Sequence, residues 1–350
     1  MCIYYGNKEG LTYSGEEHII PAAIGGSKKL PQGYVSDQFN SKISLVEQHL
    51  FRDGLISTPR IFVGPGKRGS LAPSRATVSK VHLISSPSNP DIFALGYTKL
   101  GKTYEIPHLA GNTNTGTCTF SIDKTDQSDA IKILNSFKEK CENATSLKIK
   151  VLECSQLPEN ILLIGIKDGI EENYNCFVAK NNKWQVSPEA IQNIGKNIHF
   201  NQDNLTNIKY QPQGHQTIKF EEDHLRVYGK IAFNFLALVL GKEEVCHERF
   251  DEVRSWITDN CNYNGVALRD NRNPLVQTGI LFPNDAHVIY LNKIDGELRA
   301  HIFLYESMSV EVLLCKQYDQ RFDLNGFICD WRNKNEYLLH EFLTQNIPRQ

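Results

Sequence analysis

The sequence predicts a mixed α+β fold in several parts. Three stretches repeat apolar residues at helical spacing: Ser36 to Gly54, roughly 127–142, and Glu221 to Leu240. Short β-type runs bounded by turn residues lie among them, at Leu147 to Leu152, Ile161 to Ile166 and His287 to Cys315. There is no internal repeat or low-complexity tract, and 350 residues leave room for two or three domains with ample core.

The first segment carries the chemistry. Glu17-His18-Ile19-Ile20-Pro21 is followed by Gly25-Gly26, and Asn40 lies in the helix-like stretch Ser36-Asp37-Gln38-Phe39-Asn40. An acid beside a histidine, answered by an Asn some way downstream, is what a one-metal phosphodiesterase needs. Glu17 and Asn40 offer oxygen ligands to a divalent cation, and His18 is free to take a proton from water and direct the hydroxide at phosphorus. The bland alternative makes His18 a half-buried strand residue.

These residues resemble the HNH endonucleases, the ββα-metal fold, and the resemblance covers the chain from residue 1 to about residue 60. In that subfamily a Cys-x-x-Cys pair precedes Glu-His-Ile-Ile-Pro and Gly-Gly, and a second pair followed by Asn opens a helix. The resemblance implies an N-terminal ββα-metal (HNH) nuclease domain joined to a larger mixed α+β region. It further implies His18 as general base, with Glu17 and Asn40 holding one catalytic Mg²⁺ or Mn²⁺. The knuckle positions fall on Cys2, Tyr5, Ser36 and Phe39, so three of the four thiolates are missing. No structural zinc is expected from such a set, and Tyr5 and Phe39 are expected to replace the clamp by direct packing.

Ser36 is a good N-cap, Phe39, Ile43, Val46 and Leu50 form the apolar stripe, and Gly54 is a natural stop. Asn40 flanks the stripe near the start. His49 lies nine residues further on, a rotation of about 900° that puts it on the opposite face, so it reads as a surface histidine. Asp37 shares the face of Asn40 and is a candidate third metal ligand, against the plainer role of a first-turn acid.

Residues 1–80 carry ten Lys or Arg and six Asp or Glu, a net of +4 inside a chain of net −2. The N-terminal end is therefore the polyanion-facing end. Arg52, Arg60, Lys67 and Arg68 are the expected nucleic-acid contacts, the last two in the glycine-rich loop Gly64 to Ser70, which lacks P-loop spacing.

Ser85-Ser86-Pro87-Ser88-Asn89-Pro90 reads as a linker, giving an expected division into 1–75, a linker at 76–90, a mixed α+β region at 91–215, and a helix plus β-meander region at 216–350. Lys230-Ile231-Ala232 and Phe250 to Arg254 resemble segments in the C-terminal regions of some bacterial HNH proteins. His224, Arg226, Lys230, Arg254 and Arg269 would need to converge to bind phosphate, and their spacing does not require it.

No apolar run approaches the roughly 20 residues of a membrane span, and the first thirty residues lack a signal-peptide pattern, so a cytoplasmic protein without membrane contact is expected. Nine cysteines without any Cys-x-x-Cys pair read as reduced thiols. The expected function is a metal-dependent endonuclease with nucleic acid, DNA favoured, as partner. Residues 90–350 are expected to gate or target it through a protein partner, a ligand or self-association, in a setting such as restriction or phage defence. The alternatives are a catalytically silent nucleic-acid-binding module and a nuclease subunit active only within a complex.

Overall fold

The Ser36 hydroxyl accepts the Phe39 N–H at 3.4 Å, Asp37 occupies the first turn, and the Gly54 N–H donates to the carbonyls of His49 and Leu50. Between these caps lies α1, Asp37–Asp53. The computed structural model describes residues 1–350 apart from 124–126, 169–173, 184, 201–205, 207, 216–217, 219, 260, 270–272, 274, 277–278, 307 and 347–350. Phe39, Ile43 and Leu50 of the expected stripe are buried, and Val46 partly so. After Gly54 a short helix α2, Ser57–Val63, turns the chain into the 64–70 loop.

The segment expected to be a linker is a hairpin. Strand β1 (His82–Ser86) pairs antiparallel with β2 (Asn89–Lys99), and the Pro- and Ser-rich residues make the tight connection between them. Turn chemistry looks the same in a linker and in a hairpin; here Val81, Leu83 and Leu95 on either side are buried, which ties the turn into a core. Strands β3 (Lys102–Glu105), β4 (His108–Asn112) and β5 (Thr117–Ser121) follow, then helix α3 over Gln127–Glu142 as the periodicity predicts. Strands β6 (Ile149–Glu153), β7 (Ile161–Ile166) and β8 (Cys176–Lys180), helix α4 (Pro188–Asn197) and strand β9 (Gln213–His215) complete this part. They build a four-stranded sheet ordered β3-β2-β1-β9 and a five-stranded sheet ordered β5-β4-β7-β8-β6. The β6–β8 pair is parallel.

The chain then returns with α5 (Leu225–Leu240), α6 (Lys242–Val245) and α7 (Asp251–Asp259). The 222–224 turn ahead of α5 is 3₁₀, so the helix starts later than Glu221. Arg226 through Ala237 are buried without a break, as an all-round apolar core helix demands. Strands β10 (Val266–Arg269), β11 (His287–Ile294), β12 (Glu297–Leu304), β13 (Met308–Cys315), β14 (Asn325–Asp330) and β15 (Asn335–Leu338) form one antiparallel sheet ordered β10-β13-β12-β11-β14-β15. The predicted Asp295-Gly296 turn joins β11 to β12, and α8 (Leu339–Asn346) ends the described chain.

The chain divides into two compact units, one made of Met1–Thr77 with Ile218–Gln350 and the other of Val78–Thr217. Residues 1–75, expected as a domain of their own, thus fall in one unit with the C-terminal segment. Ile19, Ile20, Phe39 and Ile43 share one hydrophobic cluster with Ile231, Phe235, Trp256, Leu291 and Phe327. A segment of some seventy residues with so short a ribbon cannot bury its own apolar face, and α5 and the six-stranded sheet cover it. Among the described residues no helix is long and apolar enough to cross a membrane.

Candidate active site

The Glu17-His18 segment is one arm of a short antiparallel ribbon. His18 is bridged to Lys29, the Ile19 N–H donates to the Lys28 carbonyl at 2.9 Å, and the Leu30 N–H donates to the Glu17 carbonyl at 2.8 Å. Ile19 and Ile20 are buried at 0% exposure, anchoring the arm ahead of its turn. The two glycines make the return possible. Gly25 has φ +101°, and a Cβ there would lie 2.4 Å from the Trp331 Cβ; a Cβ on Gly26 would lie 1.9 Å from the Ile20 carbonyl oxygen. Glu336 on β15 clamps the same turn, accepting the Ser27 N–H at 2.9 Å, the Lys28 N–H at 2.6 Å and the Ser27 hydroxyl. His287 on β11 donates from Nε2 to the Ile24 carbonyl at 2.9 Å.

Helix α5 reaches the ribbon through two polar residues one turn apart. Asn234 donates from Nδ2 to the His18 carbonyl at 2.9 Å and accepts the Tyr4 hydroxyl at 2.7 Å on Oδ1. Lys230 places its Nζ 2.6 Å from Glu17 Oε1 and 2.6 Å from Glu47 Oε1, with its side chain only 2% exposed. Burial pulls the pKa of this ammonium down, and Glu47 and Glu17 outweigh that, leaving it above its ordinary value. The His18 imidazole moves the other way: burial lowers its pKa, Glu17 raises it, and Lys29 and Lys230 lower it further. His18 is therefore neutral at pH 7, the state a proton acceptor requires.

Asn40 is partly buried, and its Oδ1 is enclosed without a hydrogen-bond partner. A buried amide oxygen left unpaired costs on the order of 1–3 kcal/mol, a penalty that a cation or water at this point removes. Asp37 is differently employed: its carboxylate accepts the Thr12 hydroxyl at 2.6 Å and the Ser14 N–H at 3.0 Å and hydroxyl at 2.9 Å. These bonds hold its pKa down and make it a clamp on the 12–14 loop, which corrects its expected place as a metal ligand. His49 is exposed, as the helical rotation predicts.

The described residues contain no group of three His, Cys, Asp or Glu side chains arranged for a metal. Glu17 and Asn40 nonetheless offer one carboxylate and one free amide oxygen. Both are the oxygen types that a Mg²⁺-type ion takes, since such an ion keeps several waters and uses one or two protein oxygens.

The positions expected to stand where the resemblance places knuckle cysteines are locked by rings. Tyr4 stacks on Phe39 with centroids 3.7 Å apart and planes 7° from parallel, and Tyr5 meets Phe39 edge-on at 5.9 Å. The expected Tyr5–Phe39 contact is thus joined by a closer one that spacing did not single out. Cys2 is wholly buried, its sulfur accepting the Ser36 N–H at 3.4 Å.

Lys67 and Arg68 are exposed on a turn that packs against Ala22–Ile24, immediately after the His18 arm. Lys28 and Lys29 are exposed on the opposing arm, and Arg52 is exposed in the last turn of α1. Arg60, expected beside them, is 8% exposed and donates to the Phe51 carbonyl at 3.3 Å and the Gly66 carbonyl at 3.4 Å. It braces the loop from inside and is not a nucleic-acid contact. Of the scattered C-terminal cations, Lys230 alone is seen at the ribbon. Arg226 instead caps α7, donating to the Ile257 and Thr258 carbonyls, and Arg254 donates to the Cys246 carbonyl.

Asn234, Glu47 and Tyr4 were not singled out for the site from sequence, and Lys230 was named only among the scattered C-terminal cations. The available signal was the i, i+4 pair Lys230 and Asn234 within an otherwise apolar helical run, a pattern that a buried helix keeps only when both polar groups find partners. No protein-family model matches the chain, and no match was found among curated proteins or solved structures.

Proposed function

We propose that the chain is a metal-dependent endonuclease of the HNH type, with His18 as general base. The observation that carries this reading is the neutral His18 imidazole on a ribbon braced by Asn234 and Glu336, next to Glu17, with the unpartnered Asn40 oxygen on α1. His18 takes a proton from water, and the hydroxide attacks phosphorus while the P–O3′ bond breaks. The products are 3′-hydroxyl and 5′-phosphate ends. Glu17 and Asn40 are the residues that would hold Mg²⁺ or Mn²⁺, and the bound cation supplies charge to stabilise the leaving oxygen.

Lys28, Lys29, Lys67, Arg68 and Arg52 are the exposed cations for positioning a phosphate backbone, with DNA the favoured polymer. Because α5 belongs to the C-terminal segment and holds both Glu17 and His18, that segment is the natural seat of gating by a partner or ligand, as restriction or phage defence would need in a cytoplasmic protein. A second reading has one specific support: the ion pair from Lys230 occupies Glu17, which favours a nucleic-acid-binding module without catalysis.

The test is cleavage of supercoiled plasmid and single-stranded substrates with Mg²⁺ or Mn²⁺, comparing wild type with His18→Ala and including an EDTA control. Metal-dependent cutting that His18→Ala abolishes supports the nuclease. Retention of nucleic acid in EDTA with no cutting by either protein supports the silent module.

A further inference from the structure

Lys230 is an unusual occupant for the neighbourhood of a metal ligand. Its ammonium lies 2.6 Å from an oxygen of Glu17 and 2.6 Å from one of Glu47, and the three side chains are 2%, 13% and 17% exposed. A buried ammonium needs one carboxylate to be neutralised, and this one has two. We infer that Lys230 is a latch on the candidate metal site: its ammonium holds the Glu17 carboxylate toward Glu47, so that a divalent cation and Lys230 compete for Glu17. The inference rests on the nuclease reading of Glu17.

The second acid is what lets such a latch open. When Glu17 turns to an ion, Glu47 still neutralises Lys230, and no bare charge is left in the interior. A site with Lys230 and Glu17 alone would have to strand the ammonium each time the ion bound, at a cost of several kcal/mol. The latch is also tied to a rigid body. Beside Lys230, a Cβ on Gly229 would lie 2.4 Å from Trp256 Cζ3, so α5 and α7 are in close register. One turn along, Asn234 holds the His18 carbonyl. A small shift of α5 therefore changes the hold on Glu17 and the position of His18 together, which gives the C-terminal segment a direct grip on the site.

The experiment is Mn²⁺ binding to the full chain without nucleic acid, read from the paramagnetic resonance of free ion and by calorimetry. It compares wild type, Lys230→Met, Lys230→Gln, Lys230→Arg, Lys29→Met and Glu17→Gln, each shown to be folded by circular dichroism. Lys230→Met and Lys230→Gln are expected to bind Mn²⁺ about tenfold more tightly or better, equivalent to about 1.4 kcal/mol. Lys230→Arg keeps the charge and wild-type affinity, and Glu17→Gln removes the site. Lys29→Met, which removes a nearby charge that pairs with Glu16 and not Glu17, changes affinity far less. Glu17-dependent binding that is unchanged or weakened in both uncharged Lys230 variants overturns the latch and leaves the nuclease standing. An equal gain in Lys29→Met also overturns it, since the effect would then be general electrostatics. Absence of Glu17-dependent binding in every variant overturns the latch and the nuclease reading together.

Discussion

Acidification should loosen the first unit through one histidine. His287 is 0% exposed, donates from Nε2 to the Ile24 carbonyl at 2.9 Å, and has an enclosed Nδ1 without a partner. Burial lowers its pKa from the ordinary 6.5 to about 4, against smaller upward pulls from the Ile24 carbonyl and Asp285. The folded value lies below the unfolded one, so the stabilisation is present above about pH 6.5 and is lost as pH falls toward 4. The gap of about 2.5 between the two values, at about 1.4 kcal/mol each, sets the full loss at about 3.5 kcal/mol, of which about 2 kcal/mol is gone at pH 5. The assay is urea unfolding at pH 7.5 and pH 5 in a Trp184→Phe background, where Trp256 and Trp331 report the first unit. His287→Gln keeps an N–H donor without titrating, so it should lose about 2 kcal/mol less than wild type between the two pH values. His18 and His224 titrate in both proteins and cancel. Equal losses in wild type and His287→Gln would refute the reasoning.

Four further outcomes are expected. Gly26→Ala drives a Cβ to 1.9 Å from the Ile20 carbonyl oxygen and should cost about 3 kcal/mol in thermal or urea unfolding. Tyr4→Phe leaves Asn234 Oδ1 without its 2.7 Å donor and should cost about 1–3 kcal/mol in the same assay, with cleavage reduced because the Asn234 amide that braces His18 loses the bond that orients it. Lys67→Ala with Arg68→Ala should lower the salt dependence of DNA binding by about 2 in log–log slope, at roughly 0.9 per phosphate contact, whereas Arg60→Met should leave that slope unchanged. The pH profile of kcat/KM should rise with an apparent pKa below the ordinary 6.5 and be flat above it, since burial depresses His18; a rise centred above that value would count against His18 as the base.

Local features were legible in the chain and long-range ones were not. Ser36 and Gly54 bracket α1, Gln127–Glu142 and Ile161–Ile166 fall where periodicity puts them, and Asp295-Gly296 makes its turn. Each of these depends on neighbours within a few residues, which is the range over which caps, turns and amphipathic stripes act. The partner of Glu17 lies on Lys230 and that of the His18 carbonyl on Asn234, more than two hundred positions away. Nothing in the spacing of Glu17 or His18 encodes those distances. Arg60 was misjudged for the same reason: its burial comes from packing against the carbonyls of Phe51 and Gly66, while its local context of Ser, Thr and Pro reads as surface. The stretch from Ser85 to Pro90 was misjudged because turn residues do not say whether the flanking strands pair.

The division of the chain also sets an order of manufacture. Residues 1–77 leave the ribosome early, yet the helix that fixes Glu17, the His18 carbonyl and Tyr4 is translated only after the whole of residues 78–217. Until then the N-terminal segment carries its reactive residues without the surface that arrays them, and closing the unit must bring together parts far apart in the chain, a slow kind of contact to form. A message cut short, or a ribosome stalled within the insertion, thus yields the motif without the assembled centre. On the nuclease reading proposed above, completion of synthesis then serves as a safeguard that needs no separate inhibitor.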